Sequence, residues 1–129
     1  LMNLLTFNPK LGHITTFGGH PVSCAASLAT LEHLLNSDIM QEIDKKEQLF
    51  KSHLKHPKIK EIRGKGLMLA IEFEDEDLAK KVVEQSIENG LILFYFLFTK
   101  TAIRITPPLN ISEKEIIKGC KIIKVILDS

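Results

Sequence analysis

The feature that most constrains this chain is a change in the spacing of its apolar residues at Pro57. Before Pro57 the apolar residues recur every three or four positions, which predicts one helix over 21–36 and a second over 39–54. After Pro57, short runs punctuated by glycine appear between further stretches of helical spacing. The chain is therefore expected to pack both helices and strands around a shared core.

Four short runs in the second half of the chain predict strands. Those at 59–63 and 67–73 flank the turn Gly-Lys-Gly at 64–66, where glycines take positive φ angles at little cost. The runs LILFYFLF at 91–98 and AIRIT at 102–106 flank a second turn. Two hairpins are therefore expected to contribute four strands.

Polar residues mark the starts of two further helices. Asp75 or Asp77 caps a third helix that ends at Gly90, and Ser112 with Glu115 forms a capping box for a last helix. The order α, α, ββ, α, ββ, α predicts an α+β fold. Its expected architecture is a small, largely antiparallel four-stranded sheet with helices on one face.

Composition limits the partners and the compartment. The chain has 17 lysines and arginines against 16 acidic residues, so its net charge of +1 predicts neither nucleic acid nor an anionic membrane as a partner. The longest apolar run, at 91–98, is too short to span a bilayer. Cys24 and Cys120 lie in apolar helical patterns and are expected to be reduced, packed thiols in a cytoplasmic protein. The five histidines are scattered, so no metal site is predicted.

The stretch TTFGGHP at 15–21 is a candidate anion site. It runs directly into an alanine-rich helix, with Pro21 at the first helical position and His20 as the N-cap. The hydroxyls of Thr15 and Thr16 and the N–H groups of the glycine turn are suitable donors for a phosphate. The same residues could instead only close a turn and cap a helix, and from the residues alone both interpretations stay open.

Three motifs resemble those of one family, in that family's order and spacing. GHITTFGGHPVSCAASLATLE resembles the H-G-x-T-F-G-G-N-P-x-x-x-A-A-x-A-x-L-E signature of the class III pyridoxal-phosphate aminotransferases, which include ornithine, acetylornithine and 4-aminobutyrate aminotransferases. RGKGLMLAIE resembles that family's R-G-x-G-L-M-x-G-x-E segment, and IRITPPLNISEKEI resembles its L-R-x-x-P-P-L-x-I-T-x-x-E-I segment. Together the three motifs cover nearly the whole chain.

The resemblance implies particular binding residues. In this family pyridoxal phosphate lies at a dimer interface, and the threonine before F-G-G contacts the phosphate of the neighbouring subunit's cofactor. That role falls on Thr16, with backbone contact from Thr15. The family's arginine ahead of P-P-L, here Arg104, meets a substrate carboxylate or an active-site glutamate. Because Arg104 lies between Ile103 and Ile105 on a strand, its side chain must point away from the face they share.

The resemblance also implies a division of the chain. Residues 1–20 would be the trailing segment of the large cofactor domain with its phosphate-contacting loop. Residues 21–129 would be the C-terminal small domain of a fold type I pyridoxal-phosphate enzyme. Because the chain begins in mid-pattern at Leu1, we expect a C-terminal fragment.

The activity that the resemblance implies is transamination by a cytoplasmic homodimer. An amino group would pass from an amino donor of the ornithine, acetylornithine, 4-aminobutyrate or lysine type to a 2-oxo acid. The family's Schiff-base lysine lies upstream of the threonine loop, and Lys10, Lys65 and Lys100 match no part of its motif. These three lysines are expected to be solvated surface charges, so the fragment alone is predicted to be inactive.

Several features leave alternatives open. His20 stands where the family has asparagine and caps a helix less well, and Ala70 stands where it usually has glycine. Arg63 with its neighbouring glycines either shapes a hairpin or contacts a ligand, and the run at 91–98 either lines a pocket or belongs to the core. The rival interpretation of the whole chain is a free-standing α+β binding or dimerisation module without catalytic activity. It explains the size and the capped elements but not the three ordered motifs.

Overall fold

The computed structural model describes residues 15–129. The chain divides into two compact units, one over 1–37 and one over 38–129. The first unit contains the TTFGG turn and helix α1, Pro21–Leu35. The second contains all the remaining described elements.

Helix α1 begins where the sequence predicts, but its side chains are not covered. Pro21 is its first residue and His20 is its N-cap, with the His20 ring accepting a hydrogen bond from the Val22 N–H. No residue of α1 is buried, and Cys24 is exposed, so the prediction that this thiol is packed was wrong. The physical reason is that α1 is the only helix described in its unit, so no second described element there lies against its apolar side chains.

The second unit contains three helices and one four-stranded sheet. The helices are α2, Ile39–His53; α3, Glu76–Glu88; and α4, Glu113–Asp128. The strands are β1, Ile59–Lys65; β2, Met68–Phe73; β3, Phe94–Tyr95; and β4, Ala102–Ile105. Every neighbouring pair is antiparallel, in the order β1-β2-β4-β3. The predicted α+β fold is confirmed.

The core lies between one face of the sheet and the helices. Leu69 pairs with Ile105 and Ile71 with Ile103 on the buried face. They pack in one cluster with residues from the three helices, among them Phe50, Val82, Cys120, Ile123 and Leu127. Cys120 is the reduced, packed thiol that the sequence predicts, and its burial raises the pKa of the thiol to about 12.

The first hairpin turns later than predicted. Strand β1 continues to Lys65, which pairs with Met68, so the tight turn is Gly66-Leu67. Gly64 and Gly66 have φ angles of 129° and 61°, as expected for glycine. A Cβ on Gly64 would lie 2.1 Å from the carbonyl oxygen of Met68, so this position in the strand cannot hold a side chain without movement of the backbone.

The run at 91–98 was predicted as a strand, and this was largely wrong. Only Phe94 and Tyr95 pair with β4, and residues 97–98 are a bend ahead of the turn into β4. Leu97 and Phe98 are more than nine-tenths exposed. An unbroken apolar run has no alternation from which its buried face could be predicted. In addition, β4 is only four residues long, so few residues of the run can pair with it.

The N-terminal caps that the sequence predicts for α3 and α4 are confirmed. Asp75, rather than Asp77, caps α3 by accepting a hydrogen bond from the Leu78 N–H at 2.7 Å. Ser112 and Glu115 form the predicted capping box of α4. Among residues 15–129 no helix has the length and apolar character needed to cross a bilayer.

Candidate functional site

The turn ahead of α1 holds the two threonines singled out by the sequence. Thr15 and Thr16 are both exposed, and residues 16–19 form the turn. A Cβ on Gly18 would lie 1.9 Å from the Thr15 hydroxyl oxygen, so a side chain at position 18 would require the Thr15 side chain to rotate. Gly19 has a φ angle of 75°, which favours glycine. The conformation of the turn therefore depends most on Gly19.

This turn has the chemistry of an anion site. The N-terminus of α1 follows it directly, and the first turn of α1 contains no acidic residue. A helix N-terminus carries a partial positive charge, and hydroxyl and backbone N–H groups donate to phosphate oxygens. The Thr15 side chain lies against the backbone of Gly18, which suits it to shaping the turn. The Thr16 side chain has no such contact with Gly18, so its hydroxyl is the better candidate to donate to a ligand.

Arg104 lies on the face of the sheet opposite the helices. Its neighbours Ile103 and Ile105 are buried on the helix side, whereas Arg104 is exposed. The prediction from strand alternation is therefore confirmed for its direction. Directly across from it on β3 is Phe94, and the guanidinium carbon of Arg104 lies 5.5 Å from the centre of the Phe94 ring.

Two arginines on this face have different electrostatic surroundings. Arg63 lies within 2.7 Å of the Glu72 carboxylate and 3.6 Å of that of Glu61. For Arg104, no carboxylate in the described part of the chain lies within ion-pair distance. Arg63 is therefore neutralised within the fold, which supports its structural role in the hairpin. Arg104 has no such neutralising partner among residues 15–129.

Glu72 is the carboxylate that neutralises Arg63. The Thr101 hydroxyl donates a hydrogen bond to Glu72, and this bond, with the one from Arg63, holds the pKa of Glu72 below its ordinary value of 4.5. Glu72 therefore stays ionised at neutral pH and links β2 to β1 and to the turn before β4.

The sheet register places small and large side chains in one row across this face. Arg63 pairs with Ala70, Ala70 with Arg104, and Arg104 with Phe94. The alanine that replaces the family's usual glycine therefore lies between the two arginines, where its methyl group is accommodated and nearly buried. Arg104 and Phe94 are also among the residues that line a mostly apolar cavity of about 110 Å³, which Phe50 and Ile123 of the helix side line as well.

Two of the lysines considered as candidates for the Schiff base lie at the surface and are paired with acidic residues. The Lys65 ammonium lies 2.7 Å from the Asp44 carboxylate, and the hydrogen bond to Asp44 raises its pKa. Lys100 lies 3.4 Å from Glu76, and both lysine side chains are about three-quarters exposed or more. The prediction that these two are surface charges is confirmed, and Lys10 lies outside the described residues. In 15–129 no cluster of three potential metal ligands occurs.

Two structurally important groups were missed by reasoning from the sequence. Phe94 was left within an undivided apolar run, because nothing in that run shows which of its aromatic residues lies opposite Arg104. Glu47 is buried on α2, where it accepts a hydrogen bond from the Gly66 N–H and ion-pairs with Lys51. The Glu47–Lys51 spacing of four predicts the ion pair, but the bond to the hairpin turn depends on tertiary packing.

Comparison with known proteins places these features in a family. The sequence model of aminotransferase class III matches residues 2–127. Acetylornithine aminotransferase of Caldanaerobacter subterraneus subsp. tengcongensis is 37% identical over 120 residues, which are 89% of this chain and 30% of that protein. Ornithine aminotransferase 2 of Staphylococcus aureus is 37% identical over 107 residues, 81% of this chain and 26% of that protein.

Solved structures give the same result. Acetylornithine aminotransferase from Elizabethkingia anophelis matches with a TM-score of 0.75 and 34% identity, over 91% of this chain and 32% of that one. Ornithine aminotransferase from Toxoplasma gondii ME49 matches with a TM-score of 0.75 and 32% identity, over 91% of this chain and 29% of that one. The chain spans about 30% of the length of the curated relatives it matches, and it corresponds to their C-terminal portion. The chain belongs to the class III aminotransferase family.

Proposed function

We propose that this chain provides the substrate-carboxylate site and a cofactor-phosphate contact of a class III aminotransferase. The enzyme would transfer an amino group from an amino donor to a 2-oxo acid. The observation that carries the proposal is Arg104, an exposed guanidinium on the open face of the sheet with no acidic partner among residues 15–129. A guanidinium binds a carboxylate through two parallel hydrogen bonds, which fixes the orientation of the substrate as well as its position.

The TTFGG turn supports the second half of the proposal. Enzymes of class III use pyridoxal phosphate, whose ring withdraws electrons from the substrate during transamination. In this chain Thr16 would donate its hydroxyl to the phosphate, and Thr15 would contribute its backbone N–H and hold the turn against Gly18. In a homodimer, Thr16 would serve the cofactor of the partner subunit.

The proposed domain arrangement follows from these roles. Residues 1–20 would end the large cofactor domain, and 21–129 would form the C-terminal small domain. The division into compact units at 37 and 38 differs from this boundary, because it groups α1 with the turn that precedes it and not with the other helices.

The proposal also covers the activity of the chain alone, the amino donor and the location of the enzyme. No lysine of the chain matches the family's Schiff-base motif, so the chain alone would not catalyse transamination. The named relatives favour an amino donor of the ornithine or acetylornithine type. The two free thiols, Cys24 and Cys120, support a cytoplasmic location.

The carboxylate role of Arg104 can be tested in the holoenzyme that contains this chain. Replacing Arg104 with Met removes the paired hydrogen bonds but keeps an unbranched side chain. We expect the KM for the carboxylate substrate to rise about 100-fold, because two charge-assisted hydrogen bonds together contribute roughly 3 kcal/mol.

Arg63→Met is the matched control, since it removes the same charge from the same face. Because Arg63 is already paired with Glu72, its replacement should lower stability while changing KM by less than about twofold. Equal KM values for the Arg104→Met variant and the wild type would refute the carboxylate role.

A further inference from the structure

Phe94 supports the guanidinium of Arg104 without neutralising it. We propose that Phe94 is a positioning residue, which holds the Arg104 guanidinium over its ring so that the N–H groups are presented to a carboxylate. The two residues are direct cross-strand partners, and the guanidinium carbon lies 5.5 Å from the ring centre. That distance is within the range in which a cation is attracted to the face of an aromatic ring.

The comparison with Arg63 shows why an aromatic partner matters here. A carboxylate such as Glu72 fixes Arg63 by occupying its N–H groups and cancelling its charge. An aromatic ring instead attracts the guanidinium through its face and leaves the in-plane N–H groups unoccupied. Phe94 therefore restricts the conformations of a long, flexible side chain and leaves its hydrogen-bond donors available to a ligand.

The ring itself is held by the fold. Phe94 and Tyr95 form β3, whose pairing with Arg104 and Ile103 fixes the register of the ring. The Tyr95 hydroxyl lies 3.4 Å from the Lys80 carbonyl oxygen on α3, on the helix side of the sheet. Phe94 points to the opposite side, where Arg104 lies, and remains 54% exposed.

The inference rests on the proposed carboxylate role of Arg104, and the two can be tested separately on the 129-residue chain. The first measurement uses no ligand: the ring current of Phe94 should move the NMR signals of the Arg104 side-chain δ and ε protons upfield. Phe94→Leu keeps an apolar side chain but removes the ring, so the upfield shift should disappear. Phe94→Tyr keeps the ring, so the shift should persist.

The second measurement is a titration with propionate, a simple carboxylate, followed through the Arg104 Nε–H signal. We expect the dissociation constant to increase about two- to fivefold in Phe94→Leu and to return to the wild-type value in Phe94→Tyr. An absent ring-current shift, or equal affinities in the wild type and Phe94→Leu, would overturn the role of Phe94. A ring-current shift without any response of Arg104 to propionate would instead count against the proposed carboxylate site and leave the stacking of Phe94 established.

Discussion

At the scale of single residues, Thr15 and Thr16 are adjacent in sequence but have different surroundings. The Thr15 side chain lies against Gly18, whereas Thr16 begins the exposed turn. We therefore expect Thr16→Val to weaken pyridoxal phosphate binding in the holoenzyme about tenfold, the loss of one hydrogen bond to a charged group. The measurement is the dissociation constant of the cofactor by fluorescence titration.

Thr15→Val is the control for this prediction. It removes a hydroxyl from the same turn while keeping the shape that contacts Gly18 and the backbone N–H. Its effect should be clearly smaller than that of Thr16→Val. If the two variants lose affinity equally, or if neither does, Thr16 has no special role at the phosphate.

Arg104 and Phe94 show which features of the candidate site could be predicted from the sequence. The direction of the Arg104 side chain was predictable, because two isoleucines flank it and successive side chains of a strand point to opposite faces of the sheet. Its contact with Phe94 was not predictable, because that contact depends on the residue at which β3 begins to pair. The run LILFYFLF contains no alternation from which this register could be derived.

At the scale of elements, the β1–β2 hairpin offers a test of how strictly glycine is required. Gly64 has a φ angle of 129°, and an added Cβ would meet the backbone of Met68 at 2.1 Å. We expect Gly64→Ala to lower the free energy of unfolding by at least about 2 kcal/mol, because backbone strain and a clash with a carbonyl group act together. Urea denaturation of the chain measures this.

Gly90 provides the matched control at the end of α3. Its φ angle is 77°, but an added Cβ would have nothing within 4 Å. Gly90→Ala should therefore cost only about 1 kcal/mol, the penalty for placing an ordinary residue in the left-handed region. If Gly64→Ala costs no more than Gly90→Ala, the close approach of the hairpin strands does not constrain position 64.

The elements that were predicted best are those fixed by local chemistry. The caps of α1 and α4 and the glycine that ends α3 depend on residues within a few positions of each other, so they can be read from the sequence. The extent of β3 and the burial of α1 depend on which other elements lie nearby. Helical spacing of Leu28, Leu31 and Leu35 predicted the helix but could not show that these side chains would be exposed.

At the scale of the whole molecule, the chain combines a turn suited to a phosphate with a sheet face suited to a carboxylate. We propose a binding role for each of them, and Lys65 and Lys100 are paired with acidic residues at the surface. The chain also spans only about 30% of the length of its curated relatives. We propose that these residues contribute to a site whose Schiff-base lysine is not among them.

Absorbance spectroscopy of the purified 129-residue chain tests this claim most directly. Pyridoxal phosphate is added in equimolar amount, and the imine band is recorded before and after addition of ornithine, N-acetylornithine or 4-aminobutyrate. Because no lysine here matches the Schiff-base motif, we predict no stoichiometric band that responds to the amino donor. A stoichiometric imine band that shifts when the donor is added would contradict the account, since it would place the reactive lysine within this chain.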